Sequence, residues 1–274
     1  MCFRLLPDQP WSPRVVATDL DGTIVRSDGT ISDRTRVALR AAEDAGALVV
    51  IVTGRPPRWL SGIADEAGHR GLAICANGAL VWDLHDQRVV ASYPLAVEVA
   101  SEIAAALRAE LPDLGFAVES GAGFAHEAAY RPRWATDERT VVAQIDELLT
   151  QPVAKLLARH EGLSADELLA RARRVVDDSV ATLTHSSREG LLEISAAGVT
   201  KASTLTALCA EHGLTGDDAV AFGDMPNDLP MLAWARHAVA VANAHPEVLA
   251  AVDEVTGSND ADGVATVLER FFDQ

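Results

Sequence analysis

The sequence predicts an α/β protein, a parallel and doubly covered sheet interrupted by an inserted α+β module. Three observations predict it. The apolar runs Arg14 to Thr18 and Leu48 to Val52 are joined through a helical pattern, and strands covered on both faces read as unbroken apolar runs. Near Leu80 the pattern changes to alternating, hairpin-like strands among polar helices. After Gly198 the first style returns, so the chain leaves the parallel unit and comes back to it.

The elements follow in order. The run Arg14 to Thr18 ends at the acidic cluster Asp19-Leu20-Asp21-Gly22-Thr23. Ser32 then has the place of an N-cap, Val37, Ala41 and Ala45 recur at helical spacing, and Gly46 stands just past the end. The second strand closes on Thr53-Gly54-Arg55-Pro56, after which Trp59, Ile63 and Ala67 again repeat at helical spacing. Within the middle module, Arg88 to Tyr93 and Gly115 to Ser120 read as strands, and Val97 to Glu110 and Ser164 to Val176 as helices. A helix from Thr200 to His212, the strand Ala219 to Phe222 and the loop Gly223-Asp224 follow. The expected division is therefore a discontinuous α/β core over residues 1–82 and 189–274, with an inserted cap over residues 83–188.

Composition limits the function. With 274 residues, 49% hydrophobic and 23% charged, the chain can bury a core of one large domain or two modest ones. No internal period of about 20 to 50 residues marks a repeat array. The formal charge of -17 repels nucleic-acid phosphates and anionic membranes. A phosphorylated substrate meets the same repulsion, so a site for one needs local positive charge. Apolar runs such as Ala47 to Val52 are far shorter than the ~20 residues that cross a bilayer. Arg4, Pro7, Asp8 and Pro10 break any signal-peptide stretch, so a cytoplasmic location is expected. Cys2, Cys75 and Cys209 are odd in number and widely spaced, which suits small apolar residues or free thiols and not a disulfide framework.

In an open α/β sheet, ligands bind beyond the carboxyl ends of the parallel strands. Asp19, Thr53 and Asp224 each follow an apolar strand run, so a parallel sheet brings them to one edge, where Lys201 can join them. Two carboxylates one residue apart, Asp19 and Asp21, with Asp224 from another strand, make a hard oxygen site suited to Mg²⁺. Each feature alone is bland: Asp21-Gly22 a turn, Thr53 a strand-end hydroxyl, Lys201 a solvated helix residue, and Asp224-x-x-Asn227-Asp228 a polar turn. Their joint order and placement favour a site.

The chain resembles the haloacid dehalogenase superfamily of phosphotransferases, and within it the Cof-type phosphatases with a type IIB α/β cap. The resemblance rests on Asp19-Leu20-Asp21-Gly22-Thr23, Thr53-Gly54-Arg55, Lys201, and Gly223-Asp224-Met225-Pro226-Asn227-Asp228, with Asn77-Gly78-Ala79 before the insertion. It implies a Rossmann-like core, an Asp19 nucleophile that forms an aspartyl-phosphate, and Asp21 as acid and then base. It also implies Mg²⁺ held by Asp19, the Asp21 carbonyl and Asp224, with Asp228 orienting from behind them. Thr53 is expected to bond a phosphoryl oxygen and Lys201 to neutralise charge. Asn77, Asn227, Gly54 and Arg55 are expected near phosphate or substrate, although Arg55 could equally pair with surface acids. Relatives that cleave carbon-halogen bonds or pump ions lack an Asp at the second position, so Asp21 favours phosphate hydrolysis.

The expected substrate is a small phosphorylated metabolite, a sugar phosphate first and a phosphorylated cofactor second, with no nucleic-acid or membrane partner and a monomeric or homodimeric state. A phosphosugar mutase and a non-catalytic phosphometabolite-binding protein are the competing readings. In the cap, His126, Glu127, Tyr130, Arg131 and Arg133 could line the cleft or form an ordinary loop beside a strand. Two segments imitate motifs. Asp28-Gly29-Thr30-Ile31 repeats Asp21-Gly22-Thr23-Ile24 without a preceding strand and reads as a turn. Ser258 to Glu269 places Asp260, Asp262, Gly263 and Glu269 at EF-hand offsets, but begins with Ser and reads as a loop and helix entry.

Overall fold

The computed structural model describes residues 11–60, 62, 71–120, 123–133, 140–187 and 189–272. Two sheets organise them. The larger has eight strands in the order β14 (Glu254–Val255), β13 (His237–Ala240), β12 (Ala219–Gly223), β1 (Val15–Thr18), β2 (Leu48–Val52), β3 (Leu72–Cys75), β4 (Leu80–Asp83) and β5 (Arg88–Ser92). From β14 to β3 all pairings are parallel, and β4 and β5 add an antiparallel hairpin at one edge.

The apolar runs become the centre of this sheet because both faces are covered. Val15, Val16, Val50, Val52, Val220 and Phe222 are all buried in one core with Leu39, Leu205 and Leu268 from the flanking helices. The helix Asp33–Asp44 starts as expected, with the Ser32 hydroxyl accepting from Thr35 N at 3.0 Å, and Gly46 lies past its end at φ +87°. Ile63 and Ala67, predicted to continue a helix from Trp59, lie outside the described residues.

The second sheet has six strands in the order β10 (Ala181–Thr184), β11 (Glu189–Ala196), β9 (Lys155–Ser164), β6 (Gly115–Glu119), β7 (Phe124–His126) and β8 (Val141–Val142). All its pairings are antiparallel except β7 with β8. The helices Val97–Glu110 and Ala165–Ala172 pack on one of its faces, where Leu107, Phe116, Leu156, Leu168 and Ile194 form a separate core. The opposite face turns toward the large sheet.

Sheet membership corrects the expected limits of the cap at both ends. The strand Arg88–Ser92, expected in the cap, pairs with β4 in the large sheet; Glu189–Ala196, expected in the core, pairs with β9 and β10 in the small one. Alternation along a strand tells that one face is buried, not which sheet buries it. The chain passes between the sheets near Tyr93 to Leu95 and again near Ala196 to Gly198.

Candidate active site

The catalytic edge begins where β1 ends. Asp19 N donates to Phe222 O at 3.0 Å, carrying the β1 to β12 pairing one residue further and setting Asp19 beside the loop that holds Asp224. Gly22 makes this possible at φ +77°, since a Cβ there would lie 2.4 Å from Asp224 Oδ2. Thr23 Oγ1 donates to Asp224 Oδ1 at 3.2 Å, so the two loops hold each other.

Lys201 opens the helix Lys201–Glu211, whose Thr200 and Ser203 form a reciprocal cap. Its side chain is fully buried, and Nζ donates to Asp19 Oδ1 at 2.5 Å and to Asp228 Oδ1 at 2.6 Å. Asp228 Oδ2 accepts from Asp224 N and Met225 N, both at 3.0 Å. Asp228 therefore uses both oxygens inside the protein and fixes the Asp224 loop, leaving Asp19 and Asp224 with free lone pairs.

Carboxylate oxygens of Asp19, Asp224 and Asp228 lie within 4.8 Å of one another. Burial pushes the Asp19 carboxyl well above the ordinary range; Lys201 opposes this, and Asp228 and Asp224 add to it. Burial, then the charge of Asp228, push Asp224 up to about 7. Three crowded carboxylates share one ammonium, so the protein alone leaves negative charge uncompensated. A divalent cation with oxygen preference fits this donor set.

Thr53, Gly54, Arg55 and Asn77 come from the ends of β2 and β3. Asn77 N donates to Thr53 O at 3.1 Å, and Arg55 N donates to Thr53 Oγ1 at 3.1 Å. Ala76 and Asn77 have φ +51° and +58°, an arrangement that buries the Asn77 side chain. Gly78 passes against the catalytic helix so closely that a Cβ would lie 2.2 Å from Thr200 O, and Thr204 Oγ1 donates to Gly78 O at 2.7 Å. Asn227 Nδ2 then donates to Asn77 Oδ1 at 3.0 Å. Arg55 lines the cleft and forks onto the expected acid itself, Asp21, with Nε to Oδ2 at 2.7 Å and Nη2 to Oδ1 at 2.5 Å.

A cleft opens over Asp19, Asp21, Gly54, Arg55, Asp224 and Asn227, with Trp59 and Met225 at its sides. Its other wall is the small sheet, through Glu119, Lys155, Leu157, Leu191 and Glu193, with Ser186 from the following turn. Sequence reading missed this wall. The available signal was Lys155 in the apolar strand run Ala154 to Ala158, a charge where only a specific partner makes burial affordable.

None of the cap residues singled out from sequence lines this cleft. His126 Nδ1 bonds to Glu127 O, and Glu127 accepts from Phe116 N, Ile145 N and Arg108. Tyr130 is buried under the cap, Arg131 is exposed, and Arg133 pairs with Glu189. These groups brace a loop against strands. The two motif imitations also serve structure. Asp28 Oδ1 closes its turn onto Thr30 N at 2.9 Å; Asp260, Asp262 and Glu269 bind Ser27, Arg26 and Arg34. Cys75 and Cys209 are buried free thiols, and Cys2 lies outside the described residues.

No helix among the described residues is long and apolar enough to cross a membrane. The family model described as haloacid dehalogenase-like hydrolase matches residues 16–268. The 5-amino-6-(5-phospho-D-ribitylamino)uracil phosphatase YcsE of Bacillus subtilis (strain 168) is 26% identical, over 94% of this chain and 95% of its own. The pyridoxal phosphate phosphatase YbhA of Escherichia coli (strain K12) is 29% identical, over 92% of this chain and 96% of its own. Among solved structures, the HAD subclass IIB sugar phosphatase BT4131 has the same fold at a TM-score of 0.77 and 21% identity, covering 94% of this chain and 98% of its own. With a match that runs through both sheets and with Asp19, Lys201 and the paired acids at one edge, the chain belongs to the haloacid dehalogenase-like hydrolases, as a phosphatase of their Cof type.

Proposed function

We propose that the protein hydrolyses phosphate monoesters of small metabolites, sugar phosphates first and phosphorylated cofactors second, with Asp19 as nucleophile and Mg²⁺ as cofactor. The observation that carries the reading is the buried Asp19 held by Lys201 within reach of Asp224. Lys201 binds one Asp19 oxygen, Oδ1, which leaves the other to attack, and its charge opposes the upward push of burial on the carboxyl.

In the first step an Asp19 oxygen forms a bond to phosphorus while the bond to the ester oxygen breaks, and Asp21 gives its proton to the leaving alkoxide. In the second, Asp21 takes a proton from water as that water attacks phosphorus, releasing inorganic phosphate and restoring Asp19. The Arg55 fork holds the Asp21 carboxyl in place beside the cleft. Thr53 and Asn77 stand at the strand ends where the phosphoryl group must lie. Mg²⁺ held by Asp19, Asp224 and the Asp21 carbonyl would neutralise the dianionic substrate against the anionic nucleophile.

Turnover of para-nitrophenyl phosphate, measured with Mg²⁺ and again after chelation, tests this. Activity that needs the cation supports it. Activity unchanged by thorough chelation removes the metal from the reading, and no turnover of that ester or of a panel of phosphorylated metabolites removes the enzyme.

A further inference from the structure

The cleft is poor in free positive charge. Beside the aspartates of the strand-end edge, the cap wall adds Glu119 and Glu193, against which the lining offers, among the described residues, only Arg55 and Lys155. Both cations are already engaged, Arg55 by Asp21 and Lys155 by Glu193 at 2.6 Å. Arg58, just behind the wall, is engaged by Glu119. A divalent cation and a phosphoryl dianion entering together leave this balance unchanged.

The Lys155–Glu193 pair sits at the seam between the sheets. Each side chain is about nineteen-twentieths buried, and Lys155 Nζ also donates to Gly54 O at 2.8 Å, next to Thr53 and Arg55. A Cβ on Gly54 would lie 3.7 Å from Glu193 Oε1, so the glutamate stands directly over the loop expected to hold phosphate. Burial pushes the Glu193 carboxyl up, but Lys155, then Ser186 and Asn77, outweigh it and keep it below its ordinary value. It faces the cleft as a charge, in surroundings that screen poorly.

We infer that the cap wall selects phosphate monoesters whose leaving group carries no second negative charge, and that the Lys155–Glu193 pair sets this selection. The inference rests on the phosphatase reading and narrows it to neutral, hydroxyl-bearing leaving groups. An added carboxylate or phosphate finds no uncommitted cation among the described residues of the lining and meets Glu193 at close range. A bisphosphate is disfavoured for the same reason, which weighs against a mutase primed by one.

Glycerol 3-phosphate and 3-phosphoglycerate make a matched pair, since their leaving groups differ chiefly by one carboxylate. The wild-type kcat/KM ratio is expected to favour the former by at least about tenfold. Glu193→Gln adds a unit of positive charge and narrows the ratio, largely by lowering KM for 3-phosphoglycerate. Lys155→Met removes one and widens it, and the double variant returns near the wild-type ratio. A merely structural pair would lower both activities together without opposite shifts of the ratio.

Equal wild-type turnover of the two esters overturns the inference, as do single variants that shift the ratio in the same direction or leave it unmoved. Circular dichroism and thermal unfolding check that each variant folds. If Lys155→Met does not, the Glu193→Gln shift and its reversal in the double variant decide alone. Absence of turnover by the wild type of both para-nitrophenyl phosphate and the panel of phosphorylated metabolites overturns the phosphatase reading, and this inference with it; turnover without charge discrimination overturns only the inference.

Discussion

The two sheets solve opposite problems with the same residue types. At its centre, in β1, β2 and β12, the large sheet buries parallel strands on both faces and delivers polar groups at the strand ends, where Asp19, Thr53 and Asp224 meet. The small antiparallel sheet spends one face on its own core and uses the other as a wall, so its polar groups lie along the strands, at Glu119, Lys155 and Glu193. Chemistry at strand ends depends on where strands stop; selectivity along strands depends on which face looks out. The first is written in short contiguous motifs, and the second in single residues spread over separate strands.

The comparison breaks first at Asp19. Asp19→Asn is expected to lower kcat by at least about 10³-fold while circular dichroism shows the fold intact; an active variant would move the nucleophile elsewhere. Next comes Lys201→Met, which leaves Asp19 and Asp228 buried without their ammonium. It should cost about 3–5 kcal/mol in denaturant unfolding, in addition to most of the activity.

Asp224 sharpens the picture through pH. Its carboxyl lies at about 7 in the folded protein without metal, above the 3.8 of an unperturbed group. Between these values the folded state binds more protons than the unfolded one, so its stabilising contribution is present at low pH and fades as pH rises through about 7. Thermal unfolding of the chelated protein at pH 5 and pH 8 should show this slope, and Asp224→Asn should flatten it. Adding Mg²⁺ should raise the midpoint most at the higher pH, where protons no longer compete for the ligands.

The smallest catalytic effect is expected in the cap away from its wall. Glu127→Ala removes an acceptor used by Phe116 N, Ile145 N and Arg108, and should lower stability by about 2–4 kcal/mol. Its kcat/KM should stay within about threefold of wild type in a steady-state assay, since Glu127 does not line the cleft. A large rise in KM would make that loop part of the substrate site.

These differences explain what was legible. The order of the catalytic motifs and the strand ends could be read because continuous apolar runs mark buried parallel strands and their termini mark the ligand edge. The sheet to which Arg88–Ser92 and Glu189–Ala196 belong could not, because alternation is blind to the partner strand. Arg55 was open to a phosphate or a surface acid, and its fork onto Asp21, a residue of the expected site, could not be read from spacing. His126 to Arg133 looked like a cleft cluster because polar residues gather there, but Glu127 turns inward to satisfy backbone donors while Arg131 and Arg133 stay exposed, a division no composition reveals.

The acidic segment near the C-terminus was notable in sequence for imitating a calcium loop, and its position has a different consequence. Asn259 Nδ2 donates to Val25 O, Asn259 N donates to Asn243 Oδ1, and Asn243 Nδ2 donates to Gly22 O at 2.7 Å. The tail thus splints the turn that follows Asp19 from the outside. A change at Asn259 or Asn243 would therefore be felt at Gly22, beside the proposed site, although neither asparagine belongs to it.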